Sequence, residues 1–201
     1  MTRTEFEVLN VVALKGMCRT RAMADLLALP ESAVEETVAA LERGDLIGRA
    51  GELLLPTDAA EPALVAFAVA AYGDLRSDAE SDGLHERFER INAQLLQTMA
   101  AWQQIDVGGH KVANDHSDPA YDERVITRAA KLVERLKRIA GTLGEHDPRF
   151  LRYGERFDAA LDRVDRGQRE YLSSPGLESV HNIWFEFHED LLRSLGKART
   201  E

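Results

Sequence analysis

Cysteine is almost absent from this chain of 201 residues, since Cys18 is the single one. One thiol cannot form a disulfide within the chain, which agrees with a reducing compartment. No histidine lies near Cys18 in the sequence, so a helix-end or turn position is favoured over the role of a nucleophile.

Long apolar runs are also missing. The longest, ALVAFAVAAY at residues 63–72, is shorter than the roughly 20 residues that a membrane-spanning helix requires. The first residues, MTRTEFEVLN, lack the basic and then apolar order of a signal peptide. We therefore expect a cytoplasmic protein that has no membrane as a partner.

Positive charge is in short supply. The chain has 25 Lys and Arg against 35 Asp and Glu, and its net charge of −10 opposes non-specific attraction to nucleic acid or anionic lipid. Binding to DNA would therefore require a locally basic patch. The apolar share of 44% is ordinary and supplies enough side chains for a buried core.

The common catalytic and metal-binding motifs do not occur, because the chain has no HExxH, CxxC, P-loop or GxSxG pattern. His116, Ser117 and Asp118 are adjacent, and adjacent residues rarely reach the geometry of a catalytic triad. We therefore expect the chain not to be an enzyme, and we assign no catalytic residue, metal ligand or cofactor.

Residues 4–57 have the order of three helices and a hairpin. Thr4 has capping-box spacing before the first helix, which ends at Gly16, and Thr20 is a possible cap of the second. Pro30 precedes the third helix, which stops at Gly44. Two short strands then surround the glycines of GRAG, residues 48–51.

Two stretches, RAMADLLALPESAVEETVAALERGDLI and GRAGELLLPT, resemble the winged helix-turn-helix of MarR-type bacterial regulators. Apolar residues stand where that family buries them, namely Ala22, Leu26, Val34, Val38 and Leu41. The resemblance covers about the first quarter of the chain and implies a DNA-binding domain over residues 1–57. It also implies a transcriptional regulator that binds double-stranded DNA as a homodimer.

The third helix would present its outward face to the major groove. With about 100° per residue, that face carries Ser32, Glu35, Glu36, Ala39, Glu42 and Arg43. The candidate DNA-binding residues are Arg19, Arg21, Ser32, Arg43 and Arg49. Three glutamates on this face oppose phosphate binding. A second hypothesis therefore stays open, in which the winged helix is an adaptor or protein-interaction module that does not contact DNA.

Residues 58–201 predict an all-helical second domain that dimerises or senses a small-molecule effector. Its expected helices are 61–76, 84–104, 123–143, 148–171 and 177–196, with SDAESDG as a break and DVGGHKVANDHSDPAYD as a loop. The layout is similar to actinobacterial regulator-like proteins with a helical C-terminal half, on the stretches NDHSDPAYD and HNIWFEFHEDLLRSLG. The charge-free run at 63–72 is a candidate for a buried or an inter-subunit helix.

A ligand site in this domain would use polar loop residues and inward-facing aromatic and imidazole groups. The candidates are Trp102, Asp115, His116, His181, Trp184 and His188. On the helix HNIWFEFHEDLL, His181 and His188 fall within the apolar arc and are expected to face inward, whereas Glu186 and Asp190 fall outside it and are expected to face water. The alternative is structural: the histidines bond within a core, the aromatics form that core, and Asp118 or Asp122 caps a helix.

Overall fold

The computed structural model describes residues 1–77 and 79–198, with backbone alone at 79–81. The described chain is mostly helical and contains two small antiparallel sheets, which confirms the expected fold class at that level. It divides into two compact units, residues 1–77 with 188–201 and residues 78–187. These units do not follow the predicted boundary at residue 57, which stays a prediction about functional domains.

The first unit begins with three helices, a hairpin and two further helices. Their bounds are α1 (Arg3–Lys15), α2 (Thr20–Leu27), α3 (Glu31–Arg43), β1 (Ile47–Ala50), β2 (Leu53–Pro56), α4 (Ala60–Ala71) and α5 (Gly73–Ser77). Ala28, Leu29 and Pro30 form the turn between α2 and α3, and Ala28 takes the left-handed conformation that ends α2.

The predicted hairpin is confirmed. Strands β1 and β2 pair in antiparallel register from Ile47 with Pro56 to Ala50 with Leu53. Gly51 has a φ of +63°, which suits a residue without a Cβ. Cys18 extends the pairing through two backbone hydrogen bonds with Leu54, and its buried side chain agrees with the structural position expected for it.

Two predicted helix starts are corrected. The capping box of α1 uses Thr2 and Glu5, two residues earlier than the expected Thr4 and Glu7. The N-cap of α2 is Arg19, and Thr20 is already helical and makes no side-chain capping bond.

The buried face of α2 also differs from the prediction. Its inward side chains are Met23, Ala24 and Leu27, whereas Ala22 is exposed and Leu26 is half-buried. The predicted buried face is shifted by one residue along α2. The helix is only two turns long, so its apolar pattern fits the predicted face and the observed face equally well. On α3 the three expected positions are buried, namely Val34, Val38 and Leu41.

Polar bonds complement the apolar core of the first unit. Asp190, near the end of the chain, is buried and accepts a hydrogen bond from Asn10 of α1 at 3.0 Å. The Oδ1 atom of Asn10 in turn accepts a bond from Arg193 at 2.6 Å. The expectation that Asp190 faces water is therefore wrong, because a partner on a distant segment satisfies it inside the unit.

The second unit consists of four long helices and a second hairpin. Its elements are α6 (Ala79–Gln103), β3 (Gln104–Val107), β4 (His110–Ala113), α7 (Pro119–His146), α8 (Leu151–Asp165) and the first half of α9 (Val180–Leu195). Short 3-10 turns at Pro148–Phe150 and Arg169–Leu172 flank α8. Most of the predicted break SDAESDG is helical, because acidic residues are favoured in the first turn of a helix.

The hairpin β3–β4 corrects the prediction of an irregular loop after α6. Val107 pairs with His110, so Gly108 and Gly109 alone make the turn. Both glycines have positive φ, as the tight turns that match the twist of a hairpin require. The dipeptide Gly-Gly between Val107 and His110 was the available signal.

Aromatic side chains form the core of the second unit. Phe187 lies 5.6 Å from Phe88 and 6.1 Å from Phe150 between ring centroids, and Trp184 lies 6.1 Å from Phe157. These rings are buried and fill the space between helices, which supports the structural alternative for them. Among the described helices, none has the length and apolar character needed to cross a membrane.

Candidate functional site

The outward face of α3 is the first candidate surface. Ser32, Glu35, Glu36 and Arg43 are exposed on it, as the helical spacing predicted, and Ala39 and Glu42 are partly covered. The β1–β2 hairpin follows three residues after this helix. The two elements together form a surface of α3 and hairpin side chains, which we call the α3–hairpin face.

Arg49 of the hairpin is bound to the glutamates of α3. Its Nε donates to Glu42 at 2.9 Å, and its Nη2 donates to Glu35 at 3.3 Å. The hydrogen bond with Glu42, followed by its charge and by the bond and charge of Glu35, holds the pKa of Arg49 above its ordinary value although burial opposes this. The guanidinium therefore neutralises part of the negative charge of α3.

The other candidate DNA-binding arginines differ in their surroundings. Arg19 forms an ion pair with Glu52 at 3.3 Å, and both side chains are largely exposed. Arg21 and Arg43 are exposed and form no ion pair with any residue that the structure describes. Of the four candidate arginines, Arg21 and Arg43 therefore have no ion pair among the described residues, and Arg19 and Arg49 are paired within the unit.

A polar cluster surrounds Asp122 at the start of α7. The Asp122 side chain is fully buried, and its oxygens lie 3.1 Å from His116 Nδ1 and 2.8 Å from Arg169 Nη1. The side-chain amide of Asn114 donates to the same carboxylate at 3.1 Å. Three donors thus satisfy one buried carboxylate, as a buried charge requires.

His116 is held in a defined orientation. Its Nδ1 lies 3.1 Å from each oxygen of the Asp122 carboxylate and 3.2 Å from the side-chain nitrogen of Asn114, so both neighbours contact the same edge of the ring. The imidazole lies 4.3 Å from the Trp102 ring between centroids, at an interplanar angle of 41°. The backbone of His116 has a φ of 58°, a conformation that costs about 1–3 kcal/mol in a residue other than glycine and often marks a functional position.

The cluster is not arranged as a nucleophilic triad. The Ser117 hydroxyl bonds with Asp115, and that bond is the largest cause that lowers the pKa of this exposed carboxyl. Asp118 caps α7 by accepting from the backbone N–H groups of Ala120 and Tyr121. An oriented imidazole beside an indole ring suits recognition of a planar or hydrogen-bonding small molecule.

The structure brings only some of the predicted ligand-binding residues together. Trp102 and His116 are in contact, and Asp115 is their exposed neighbour in the chain. Trp184 is a core residue whose Nε1 donates to Asn92 at 3.1 Å. His181 is half-buried, and desolvation lowers its pKa. It forms no hydrogen bond with the loop at 115–118 in the described part of the chain.

His188 and Glu186 of α9 belong to different units. His188 is buried and lies in the first unit. Glu186 is buried in the second unit, where Arg156 donates to it at 2.6 Å. The expectation that Glu186 faces water is therefore wrong, because α8 supplies a cation on that side of the helix.

Three members of the Asp122 cluster were not predicted as site residues, namely Asn114, Asp122 and Arg169. The sequence indicates Asp122 only as a possible helix cap, and it gives no signal for Arg169. Asp122 and Arg169 are 47 positions apart in the chain, and no local spacing connects them. No set of three or more His, Cys, Asp or Glu that could hold a metal ion occurs in residues 1–77 and 79–198.

Comparisons with protein-family models, with curated proteins and with solved structures find no match for this chain.

Proposed function

We propose that this protein is a cytoplasmic, DNA-binding transcriptional regulator with a winged helix-turn-helix in its first unit. The observation that carries the proposal is the α3–hairpin face. Helix α3 follows a three-residue turn after α2, buries Val34, Val38 and Leu41, and leaves its opposite face open next to a hairpin. This order of elements is the one in which a recognition helix enters the major groove.

Arg21 and Arg43 are the proposed phosphate contacts, because they are exposed cations of this unit without an ion pair among the described residues. Ser32, near the start of α3, would contact a base edge or a phosphate. Arg19 and Arg49 would exchange a carboxylate partner for a phosphate when DNA binds. That exchange costs part of the binding free energy, so the affinity for DNA should be modest at physiological salt.

The ion pairs of Arg49 favour a second candidate function. A basic side chain that is already bound by Glu35 and Glu42 leaves α3 with an acidic surface. Such a surface suits a protein partner that carries lysine or arginine. In this alternative the first unit is an adaptor module, and it does not bind DNA.

A homodimer is part of the proposed regulator, and α4 is its proposed contact. Pro62, Val65, Ala66, Val69 and Ala70 are exposed along one side of this helix, and none carries a charge. Exposed apolar faces of this kind often mark contacts between proteins. The Trp102–His116 pair is the proposed contact for a small-molecule effector.

The DNA-binding proposal is tested by fluorescence anisotropy with the full chain and labelled duplex from the region upstream of its own coding sequence. A scrambled duplex of equal length and composition is the control. We expect tighter binding to the natural duplex. The variant Glu35→Gln/Glu42→Gln should bind DNA more tightly than the natural chain, because it releases Arg49 and removes two negative charges.

The variant Glu123→Gln/Glu155→Gln, which removes two exposed charges from the second unit, is the matched control for net charge. It should bind the duplex as the natural chain does. No binding by either the natural chain or the Glu35→Gln/Glu42→Gln variant at low salt would reject DNA binding and leave the adaptor function.

A further inference from the structure

A groove lined by arginines lies between α6 and α7 in the second unit. Its volume is about 380 Å³, and its lining residues are Leu84, Arg87, Arg90, Ile91, Arg135, Arg138, Ile139 and Thr142. Half of these residues are arginine, in a chain whose net charge is −10. The volume falls within the range of about 300–1,000 Å³ that is usual for small-molecule sites.

The two helices contribute matching sequences to this arginine groove. Helix α6 carries Arg-Phe-Glu-Arg-Ile at 87–91, and α7 carries Arg-Leu-Lys-Arg-Ile at 135–139. In each, the arginines are three positions apart and share one face of the helix with the following isoleucine. Packing of α6 on α7 therefore places two arginine pairs opposite each other above an apolar floor.

These arginines lack the close carboxylate partners that Lys137, Arg149 and Arg156 of the same unit have. Arg87 and Arg138 form no ion pair among the described residues, and Arg135 donates to the neutral Gln94 at 2.7 Å. Glu86 lies 4.0 Å from Arg90, with both side chains largely exposed. Lys137 provides the contrast, because it lies between two of the arginines in sequence and is bound to Asp158 at 2.7 Å.

Like charges three positions apart destabilise a helix, and two such pairs on facing helices repel each other as well. An arrangement that costs stability and has so little counter-charge is typical of a site for an anion. Guanidinium groups are suited to phosphate because their paired N–H donors match its oxygens. The floor of Leu84, Ile91 and Ile139 adds room for an apolar body.

We propose that the arginine groove binds a small organic phosphate, with the phosphate between Arg87 and Arg138 and the apolar body against the floor. The inference goes beyond the proposed function and does not depend on it, since the groove lies within the second unit. A phosphate with two negative charges and three terminal oxygens can accept from more guanidinium donors at once than a carboxylate, which has one charge and two oxygens.

The test is isothermal titration calorimetry on the full chain with 1-naphthyl phosphate, inorganic phosphate and 1-naphthol at fixed ionic strength. We expect saturable binding of 1-naphthyl phosphate and at least about 10-fold weaker binding of the other two probes, since each lacks half of the contacts. Equal affinity for inorganic phosphate, or no saturable binding of 1-naphthyl phosphate, would overturn the proposal.

Variants separate the groove from the general charge of the chain. Arg87→Gln/Arg138→Gln should weaken 1-naphthyl phosphate binding by about 100-fold, because two charge-assisted hydrogen-bond donors are lost. Lys111→Gln/Arg166→Gln removes the same charge from exposed positions in β4 and after α8, and it should change the affinity by less than about 3-fold. An equal loss in both variants would contradict a specific site.

Two further measurements distinguish a site for a small phosphate from a structural role of the arginines and from a lipid site. The ligand-free Arg87→Gln/Arg138→Gln variant should melt at or above the temperature of the natural chain, because like-charge repulsion is removed. A clearly lower melting temperature would show that these arginines stabilise the fold and would overturn the proposal. The second measurement is binding to phosphatidic acid vesicles. If the chain binds these vesicles through Arg87 and Arg138 but does not bind 1-naphthyl phosphate, the ligand is a lipid and the proposal is overturned.

Discussion

At the scale of single residues, burial of ionisable groups sets the main constraints in the second unit. Asp122 is fully buried with His116, Asn114 and Arg169 around it, and its charge is compensated by hydrogen bonds. His181 differs, because desolvation is the only cause that shifts its pKa. The folded state therefore favours neutral His181.

This burial predicts a pH dependence of stability. The pKa of His181 is lowered in the folded state, so below its ordinary value of 6.5 the unfolded chain binds more protons at this residue. The contribution of His181 is complete above that pH and is lost as the pH falls through the folded pKa. The free energy of unfolding should thus fall on acidification. The decrease should be smaller in the His181→Gln variant than in the natural chain.

Urea unfolding followed by circular dichroism between about pH 8 and pH 5 measures this difference. His110→Gln, at an exposed position in the β3–β4 hairpin, is the matched control and should follow the natural chain. An equal loss of stability on acidification in the natural chain and His181→Gln would contradict the account.

At the scale of elements, ion pairs connect helices that lie far apart in the sequence. Arg156 of α8 is nearly buried and pairs with Glu186 of α9 at 2.6 Å and with Glu178 at 2.8 Å. Burial alone would lower the pKa of Arg156, and the two carboxylates outweigh this and raise it. The side chain therefore stays charged inside the unit and joins α8 to the start of α9.

Removing this cation should be costly. Arg156→Met would remove the cation that donates to the buried Glu186 at 2.6 Å, and we expect a loss of about 3–5 kcal/mol in the free energy of unfolding. The double variant Arg156→Met/Glu186→Met should recover most of that loss, because the carboxylate that loses this cation is removed as well. Chemical denaturation of the three proteins measures the effect, and a double variant no more stable than Arg156→Met would show that the broken Arg156–Glu186 pair is not the cause.

The sequence predicted those elements that depend on local periodicity. The buried positions of α3 follow helical spacing, and the β1–β2 hairpin follows from its glycines. The predicted face of α2 is wrong because two turns carry too little periodic signal. The β3–β4 hairpin is not predicted because a Gly-Gly dipeptide is also typical of an irregular loop. Glu186 and Asp190 were misassigned because their partners, Arg156 and Asn10, lie far away in the sequence.

The candidate sites were less predictable than the elements. His116 was identified from its polar loop, and its contact with Trp102 was not. The Asp122 cluster and the arginine groove both depend on which helices are neighbours, and the spacing of residues within one helix does not contain that information. Matching Arg-x-x-Arg-Ile sequences become meaningful only when α6 and α7 are known to pack together.

At the scale of the whole molecule, the proposed regulator should be a homodimer. Val65 and Val69 are 41% and 54% exposed on the uncharged face of α4, next to a core that uses the opposite face. Val65→Glu/Val69→Glu should therefore abolish dimerisation without unfolding the chain. A charge on each of two facing helices adds repulsion to the loss of apolar contact.

Sedimentation equilibrium at micromolar concentration measures the assembly state. Leu96→Glu, which alters another exposed apolar residue that is 56% exposed, is the control and should remain dimeric. A natural chain that sediments as a monomer at these concentrations would reject the dimer. Unchanged dimerisation of the Val65→Glu/Val69→Glu variant would reject α4 as its contact.

The most direct test of DNA binding by the first unit is the salt dependence of the affinity. The logarithm of the association constant for the upstream duplex should fall linearly with the logarithm of salt concentration, because phosphate contacts release counterions. Arg21→Gln/Arg43→Gln should reduce that slope by about 2 per subunit, whereas Arg166→Gln, an exposed arginine of the second unit, should leave it unchanged. An identical slope in all three proteins, or no measurable binding, would contradict the account.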